Sequence, residues 1–278
     1  MNKFILAFVL LLTPMVYVAA QSDEKVKGDR NVTIKQTYID PFNKIVVGED
    51  FTVEIIYNSK PSVEVEADSN LHELINFDVV DGILTFATTK KITSSKRMNI
   101  KVNYSDGLEH IEVLENGEIR SLTSLELKNA TLKTSGSSRT YLNIKTGDFN
   151  YTASDKARAK LNVNATNSII VLNDNVKIEA LLNSKMAKID LYQRANAKLE
   201  GTIDNTQLRM DNSSVFNGKE FLTNTCDLTA DLGSSTTIRV NNSITIAATG
   251  NSEVYLYNTP KITLTTFVGT SKLQMRER

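Results

Sequence analysis

The sequence predicts an all-β chain whose C-terminal two thirds form a β-solenoid, capped by irregular N-terminal strands, and three observations carry that expectation. From Ala130 to Leu273, seven or eight short β-like segments each return to a small polar tip. The tips include Ser135-Gly136-Ser137-Ser138, Ala153-Ser154-Asp155, Asn173-Asp174-Asn175, Gln193-Arg194-Ala195-Asn196 and Gly250-Asn251-Ser252, and they recur roughly every 19 residues. A fixed period of that size marks supersecondary units that cannot bury an apolar face alone and must stack on their neighbours. Between the tips, apolar residues alternate with polar ones, as in Leu142 and Ile144, Leu161 and Val163, Ile189 and Leu191, Leu208 and Met210, and Leu228 and Leu232. A period of two gives each segment one dry face and one wet face, which is a half-buried strand. No stretch keeps the helical i, i+3, i+4, i+7 spacing over ten positions, and Pro260 is the one proline after Ala130, as suits strands that donate their amides to a neighbour.

In chain order, residues 1–20 read as a cleaved signal peptide. Lys3 is followed by the apolar run Phe4 to Val18 and by the small residues Ala19 and Ala20, with Gln21 as the new N-terminus. About 15 apolar residues fall short of the roughly 20 that span a bilayer, so no transmembrane segment is expected in the mature chain. Residues 21–32 are charged and aperiodic, which predicts a flexible leader. Residues 33–120 read as conventional strands and turns packed on the solenoid: Lys44 to Val47, Phe51 to Tyr57, Ser62 to Ala67, and a hairpin around Asp81-Gly82. Asp68-Ser69-Asn70 is expected to cap a short helical turn over Leu71 to Ile75. Residues 121–278 hold the repeats. A propeller and a leucine-rich repeat compete with the solenoid, but the chain has no Trp and sustains no Leu-x-x-Leu-x-Leu run.

Bulk properties narrow the function. The chain has 278 residues, 41% of them hydrophobic, with 32 basic and 32 acidic side chains. That balance, with no basic run interleaved with aromatics, argues against a nucleic-acid partner. A single cysteine, Cys226, excludes an intrachain disulfide, and its shared parity with Leu228, Ala230 and Leu232 predicts a buried thiol.

The opening Phe42-x-x-Ile45-x-Val47, Phe51-x-Val53-x-Ile55, Val63-Glu64-Val65-Glu66 and Val79-x-Asp81-Gly82-x-Leu84, the serine-glycine tips, and the closing Gly250-Asn251-Ser252-Glu253-Val254-Tyr255-Leu256-Tyr257 together resemble the auto-transporter adhesin family with a head GIN domain. The resemblance covers Phe42 to Leu273. It implies a right-handed parallel β-helix-like fold and an exported, surface or adhesive role, and it carries no catalytic residue. Tips such as Asn173-Asp174-Asn175 depart from the family's glycine-serine pattern.

Candidate chemistry is thin. Asp148, Asp155, Arg158, Lys160, Asp174, Lys177, Asp190 and Arg194 are the acidic and basic residues that a polysaccharide lyase or hydrolase on this scaffold would draw on. A strand's wet face is polar in any case, and these residues are scattered along it. His72 and His110 lack metal-ligand spacing, and no Gly-x-Ser-x-Gly occurs. Asp and Asn at the tips suit Asx turns or in-register hydrogen-bond ladders as well as calcium. No catalytic residue, cofactor or metal is therefore expected. The reading is a non-enzymatic, adhesin-like binding protein of the cell envelope, in the periplasm, on the outer surface or secreted, that meets a surface glycan or an envelope or host protein along one solenoid face. Tyr141, Tyr151, Tyr192, Tyr255 and Tyr257 are the aromatics available to it. The alternatives are a carbohydrate-active enzyme on the same scaffold and a structural envelope component.

Overall fold

The computed structural model describes residues 24–277, so the expected signal peptide lies outside the described residues. The chain is 68% strand and 2% helix and winds into a β-solenoid of about nine turns. Its centre is a run of long strands: Arg139–Ala153, Arg158–Leu172, Lys177–Leu191, Asn196–Met210, Val215–Ala230 and Ser235–Ala248. Each pairs in parallel with the next. Arg139 sits beside Arg158, Arg158 beside Lys177, Lys177 beside Asn196 and Asn196 beside Val215, a step of 19 residues. Later steps of 20 and 18, from Val215 to Ser235 to Glu253, compensate each other.

Each long strand is two limbs joined at a bend, and the sequence dictates where it bends. Along Arg158–Leu172 the inward residues are Ala159, Leu161, Val163 and Ala165, then Ser168, Ile170 and Leu172. Thr166 and Asn167 between them are both exposed. Two outward residues in succession shift the alternation by one place, so the limb before the bend and the limb after it bury their apolar sides in one common core. Because the repeat keeps register, like stacks on like: Tyr151, Ile170, Ile189, Leu208, Leu228 and Ile246 form one buried column. Each such side chain contributes about 1.5–3 kcal/mol by leaving water.

The polar tips close every coil through a left-handed residue: Gly136 at φ 68°, Asp155 at 62°, Asp174 at 61° and Gln193 at 59°. Asp and Asn tolerate that conformation better than other side chains. The tips also bond to one another. Lys156 N donates to Gly136 O (2.8 Å), Asn175 N to Asp155 O (2.8 Å) and Arg194 N to Asp174 O (2.9 Å). A side-chain ladder runs beside this one, in which the Gly136 amide donates to Asp155 Oδ2 (2.9 Å) and the Asp155 amide to Asp174 Oδ2 (3.0 Å). At the bends, Asn224, Asn241 and Asn258 link in series to Asp204, with donor distances of 3.3, 3.3 and 3.0 Å. Leu232 departs from the expected inward parity. It sits at a tip with φ 48° and is 60% exposed, because it holds the left-handed position two residues past the last inward residue, Ala230, as Asp155 does past Ala153 and Asp174 past Leu172.

The stack also runs on into the N-terminal region. Lys44–Val47 pairs in parallel with His110–Val113, which pairs with Asn129–Thr134; Thr52–Tyr57 pairs with Glu118–Ser121, which pairs with Arg139–Ala153. Ile83–Thr88 and Met98–Tyr104 lie beyond Lys44–Val47 and Thr52–Tyr57 as a further coil. Antiparallel strands then cover that end: Ser62–Asp68 on Met98–Tyr104, Ile75–Val80 on Ile83–Thr88, and Val32–Tyr38 on Ser62–Asp68. An edge that would template other chains is thereby capped.

Part of the segment read as a flexible leader is ordered here, for Lys25–Lys27 pairs with Lys91–Ser94. The buried Asp68 anchors the chain just beyond that strand and explains a second departure. Its carboxylate accepts the amides of Arg30 (3.1 Å), Lys96 (3.1 Å) and Arg97 (3.3 Å), tying three segments together. It is consequently turned away from the following 3-10 helix, Ser69–Leu74, which has no side-chain cap from it. At the far end Lys261–Phe267 and Lys272–Arg276 complete the stack, with Leu264 and Met275 each 49% exposed. No helix among the described residues is long and apolar enough to cross a membrane.

Candidate functional site

The limbs before the bend form a face whose outward residues fall into columns along the solenoid axis. One column reads Glu118, Arg139, Arg158, Lys177 and Asn196. The next reads Glu54, Arg120, Tyr141, Lys160, Glu179 and Lys198. Neighbouring strands lie about 4.8 Å apart, so successive members of a column are close neighbours. Two grooves cross this face. One of about 590 Å³ is lined by Arg120, Leu122, Tyr141, Asn143, Asn162 and Leu181 among others. A second, of about 350 Å³, is lined by Arg139, Tyr141, Arg158, Lys160, Lys177 and Glu179. The Arg120 guanidinium lies 4.8 Å from the centre of the Tyr141 ring and holds it in place.

Charge on this face is mostly paired. Lys160 Nζ is 3.4 Å from Glu179, Lys198 Nζ 3.4 Å from Glu200, and Arg120 2.6 Å from Glu118. At the N-terminal side, Glu112 bridges Lys44 at 2.6 Å and Lys133 at 3.0 Å. Burial alone would raise its carboxyl, but the two lysines outweigh burial and hold it below the ordinary glutamate range. Near the C-terminal end, the Tyr255 hydroxyl donates to Glu253 at 2.7 Å and Lys272 lies 2.9 Å from the same carboxylate. The tyrosine's hydrogen bond and the lysine together lower Glu253.

The residues singled out from sequence are not drawn together. Asp155 and Asp174 are acceptors in the tip ladder, Asp148 accepts from Asn167 Nδ2 at 2.8 Å, and Arg194 Nε donates to Asn175 Oδ1 at 2.8 Å. Asp190 pairs with Lys188 at 3.8 Å on the opposite face, after the bend. Only Arg158, Lys160 and Lys177 share a groove. His72 bonds to Thr33 through Nε2 (2.9 Å to Oγ1), and His110 is exposed in a separate strand. Among the described residues, no group of three or more His, Cys, Asp or Glu is placed to hold a metal ion. Tyr151 is a core residue, 1% exposed, hydrogen-bonded to Thr134, with burial pushing its hydroxyl upward; Tyr141, Tyr192, Tyr255 and Tyr257 are half-buried. Cys226 is buried as expected, and burial pushes its thiol up. Arg120, Arg139, Asn143 and Asn162 were missed in sequence. The 19-residue step locates the last three of them once the tips are aligned, since Arg139 precedes Arg158 by one coil and Asn143 precedes Asn162.

The family model for Putative auto-transporter adhesin, head GIN domain, matches residues 41–181 and 157–260. The chain belongs to this family. Membership points to a non-enzymatic protein of exported or surface type. Solved structures share the fold of this head GIN domain. A putative lipid binding protein from Parabacteroides distasonis has a TM-score of 0.62 at 13% identity, covering 91% of this chain and 100% of its own. A putative adhesin from Parabacteroides merdae has a TM-score of 0.61 at 18% identity, covering 91% and 99%. Another, from Parabacteroides distasonis, has a TM-score of 0.52 at 19% identity, covering 90% and 100%. No curated protein matches the chain.

Proposed function

We propose that this head GIN domain is an exported binding protein of the cell envelope that holds a surface glycan on the face formed by the limbs before the bend, and leaves it chemically unchanged. Residues 1–20 direct export in this reading, and the mature protein begins at Gln21. The observation that carries the proposal is the 590 Å³ groove across that face, which spans several coils and combines an aromatic ring, Tyr141, with the side-chain amides Asn143 and Asn162. A ring face against a sugar and amides against hydroxyls are what a neutral stretch of glycan asks of a protein. A rigid solenoid lets many such weak contacts act together. The charged and polar lining suits a hydrophilic ligand better than the lipid in the name of one structural neighbour. For chemistry, an acid and base pair would have to converge, whereas the carboxylates of the tips and bends are bound into ladders, and in the groove itself Glu179 is paired with Lys160 and Glu200 with Lys198.

The test is to screen the mature protein on an array of host and bacterial polysaccharides while assaying the same polymers for new chain ends. Saturable retention with the polymers intact is the expected result. Cleavage would overturn the non-enzymatic part of the proposal, and silence across the array would overturn the glycan.

A further inference from the structure

Arg139, Arg158 and Lys177 occupy successive coils of one column, all three exposed, and all three line the 350 Å³ groove. In a parallel in-register stack, nothing separates them but the strand spacing of about 4.8 Å. Like charges in adjacent register positions repel. At several places opposite charges occupy neighbouring coils, as in Lys145 with Glu126 at 3.6 Å, Lys160 with Glu179 at 3.4 Å and Lys272 with Glu253 at 2.9 Å. Like charges also meet in pairs, as in Glu200 beside Glu220 and Lys25 beside Lys91, but this row sets three of them in succession. Glu118 lies 4.0 Å from Arg139 but holds Arg120 at 2.6 Å, and among the described residues no carboxylate pairs with Arg158 or Lys177. The nearby tip carboxylates of Asp155 and Asp174 are occupied by backbone amides.

We propose that this row is a binding site for an acidic polysaccharide, a linear chain bearing carboxylates or sulfates along its length. The inference rests on the reading of this face as the binding face, and adds the ligand's charge and the side chains that read it. Three cations in line along the solenoid axis match anions repeated along a polymer laid on the same axis. Two of them are arginines, whose planar fork takes an oxyanion group in two parallel hydrogen bonds. Tyr141, one column away in the same groove, offers its ring to the sugar, and Asn143 and Asn162 lie in the adjoining groove to take hydroxyls. A groove admits a strand of polymer better than it admits a bilayer surface. A single-stranded nucleic acid also repeats its charge, but it is held by a succession of stacking aromatics, and this row has only Tyr141 beside it.

The test is biolayer interferometry of the mature protein against polygalacturonate, neutral dextran, phosphatidylglycerol vesicles and an oligothymidylate. Three proteins are compared: wild type, the row variant Arg139→Gln/Arg158→Gln/Lys177→Gln, and a control with Lys188→Gln/Arg209→Gln/Lys261→Gln on the opposite face. Polygalacturonate is expected to bind wild type and control alike, to weaken as salt rises, and to lose at least about tenfold in affinity with the row variant. The single reversal Arg158→Glu should lose more than Arg158→Gln while thermal unfolding confirms that both fold. Equal polygalacturonate binding by wild type and row variant would overturn the proposal, as would a preference for vesicles or oligothymidylate. Binding of neutral glycans only, through Tyr141, would sink the acidic ligand but leave the face as a glycan-binding surface; retention of no glycan at all would sink both.

Discussion

Gly201 is where this solenoid is least tolerant of one extra carbon. Its φ is +116°, a region that L side chains rarely adopt, and a Cβ built there would overlap the carbonyl oxygen of Leu182 in the preceding coil and stand 2.8 Å from its carbonyl carbon. The ladder registers the closeness: Leu181 pairs with Glu200 and Ser184 with Ile203, but the residues between them are unpaired. On the other side Gly201 pairs with Phe221, which packs edge-on against Phe216 at 5.6 Å. Gly201→Ala therefore incurs backbone strain of about 1–3 kcal/mol. It also forces the overlapping backbone apart, for about another 1–3 kcal/mol. The sum, about 2–6 kcal/mol, is a large part of the ~5–15 kcal/mol that holds a folded domain together.

Gly107→Ala is the control, because Gly107 has a similar φ of +105° with nothing within 4 Å of the added carbon. It should show the strain alone, about 1–3 kcal/mol. The assay is urea unfolding followed by circular dichroism, with hydrogen exchange of the amides around Leu182 as a local readout. Gly201→Ala should lower the midpoint well beyond Gly107→Ala and loosen the two coils that meet at Leu182, since coils hold mainly to their neighbours. If the two glycine variants unfold together, the close approach is not what Gly201 is there for.

Other expectations follow from the same structure. Asp174→Ala removes the acceptor of the Asp155 amide and puts alanine in a left-handed position, and should destabilise by about 1–3 kcal/mol in chemical unfolding, whereas Asp174→Asn, which keeps an acceptor oxygen and tolerates that conformation, should lose much less. Glu112 has a folded-state pKa below its unfolded one, so its contribution is fully present above about pH 4.5 and is lost as pH falls through the folded value. Glu112→Gln should accordingly cost about 1 kcal/mol at pH 7, with the gap to wild type closing below pH 4.5 in urea titrations. The Cys226 thiol, buried and pushed toward its neutral form, should resist a disulfide reagent in buffer and react at once in denaturant. Leu232→Asn puts a residue that accepts the left-handed conformation in place of an exposed leucine, and should leave the melting temperature unchanged or raise it.

The sequence made the coil visible because its information is local and repeated. Each tip is a polar turn, each limb alternates, and the same pattern returns after 19 residues, so the solenoid, the buried Cys226 and the laddered tips could be read directly. What could not be read depends on partners far away in the chain. Asp68 looks like a helix cap from its neighbours Ser69 and Asn70, yet its bonds run to Arg30, Lys96 and Arg97. The leader at Lys25–Lys27 is aperiodic and becomes a strand only because Lys91–Ser94 offers it an edge. The stack order places Ile83–Thr88 outside Lys44–Val47, and Lys44–Val47 outside His110–Val113, which no local period announces. Half of the candidate site was legible for the same reason. Arg158, Lys160 and Lys177 could be picked from the sequence as charges, but their convergence with Arg139 and Tyr141 needs the coil register, and their lack of carboxylate partners on Arg158 and Lys177 needs the side chains.

The central claim, that the face before the bend carries the ligand, is tested most directly by arginine-specific labelling read by mass spectrometry, with and without polygalacturonate. Protection of Arg139 and Arg158, with Arg209 on the opposite face labelled as before, is the result expected. Protection of Arg209 with Arg139 and Arg158 left open would contradict it.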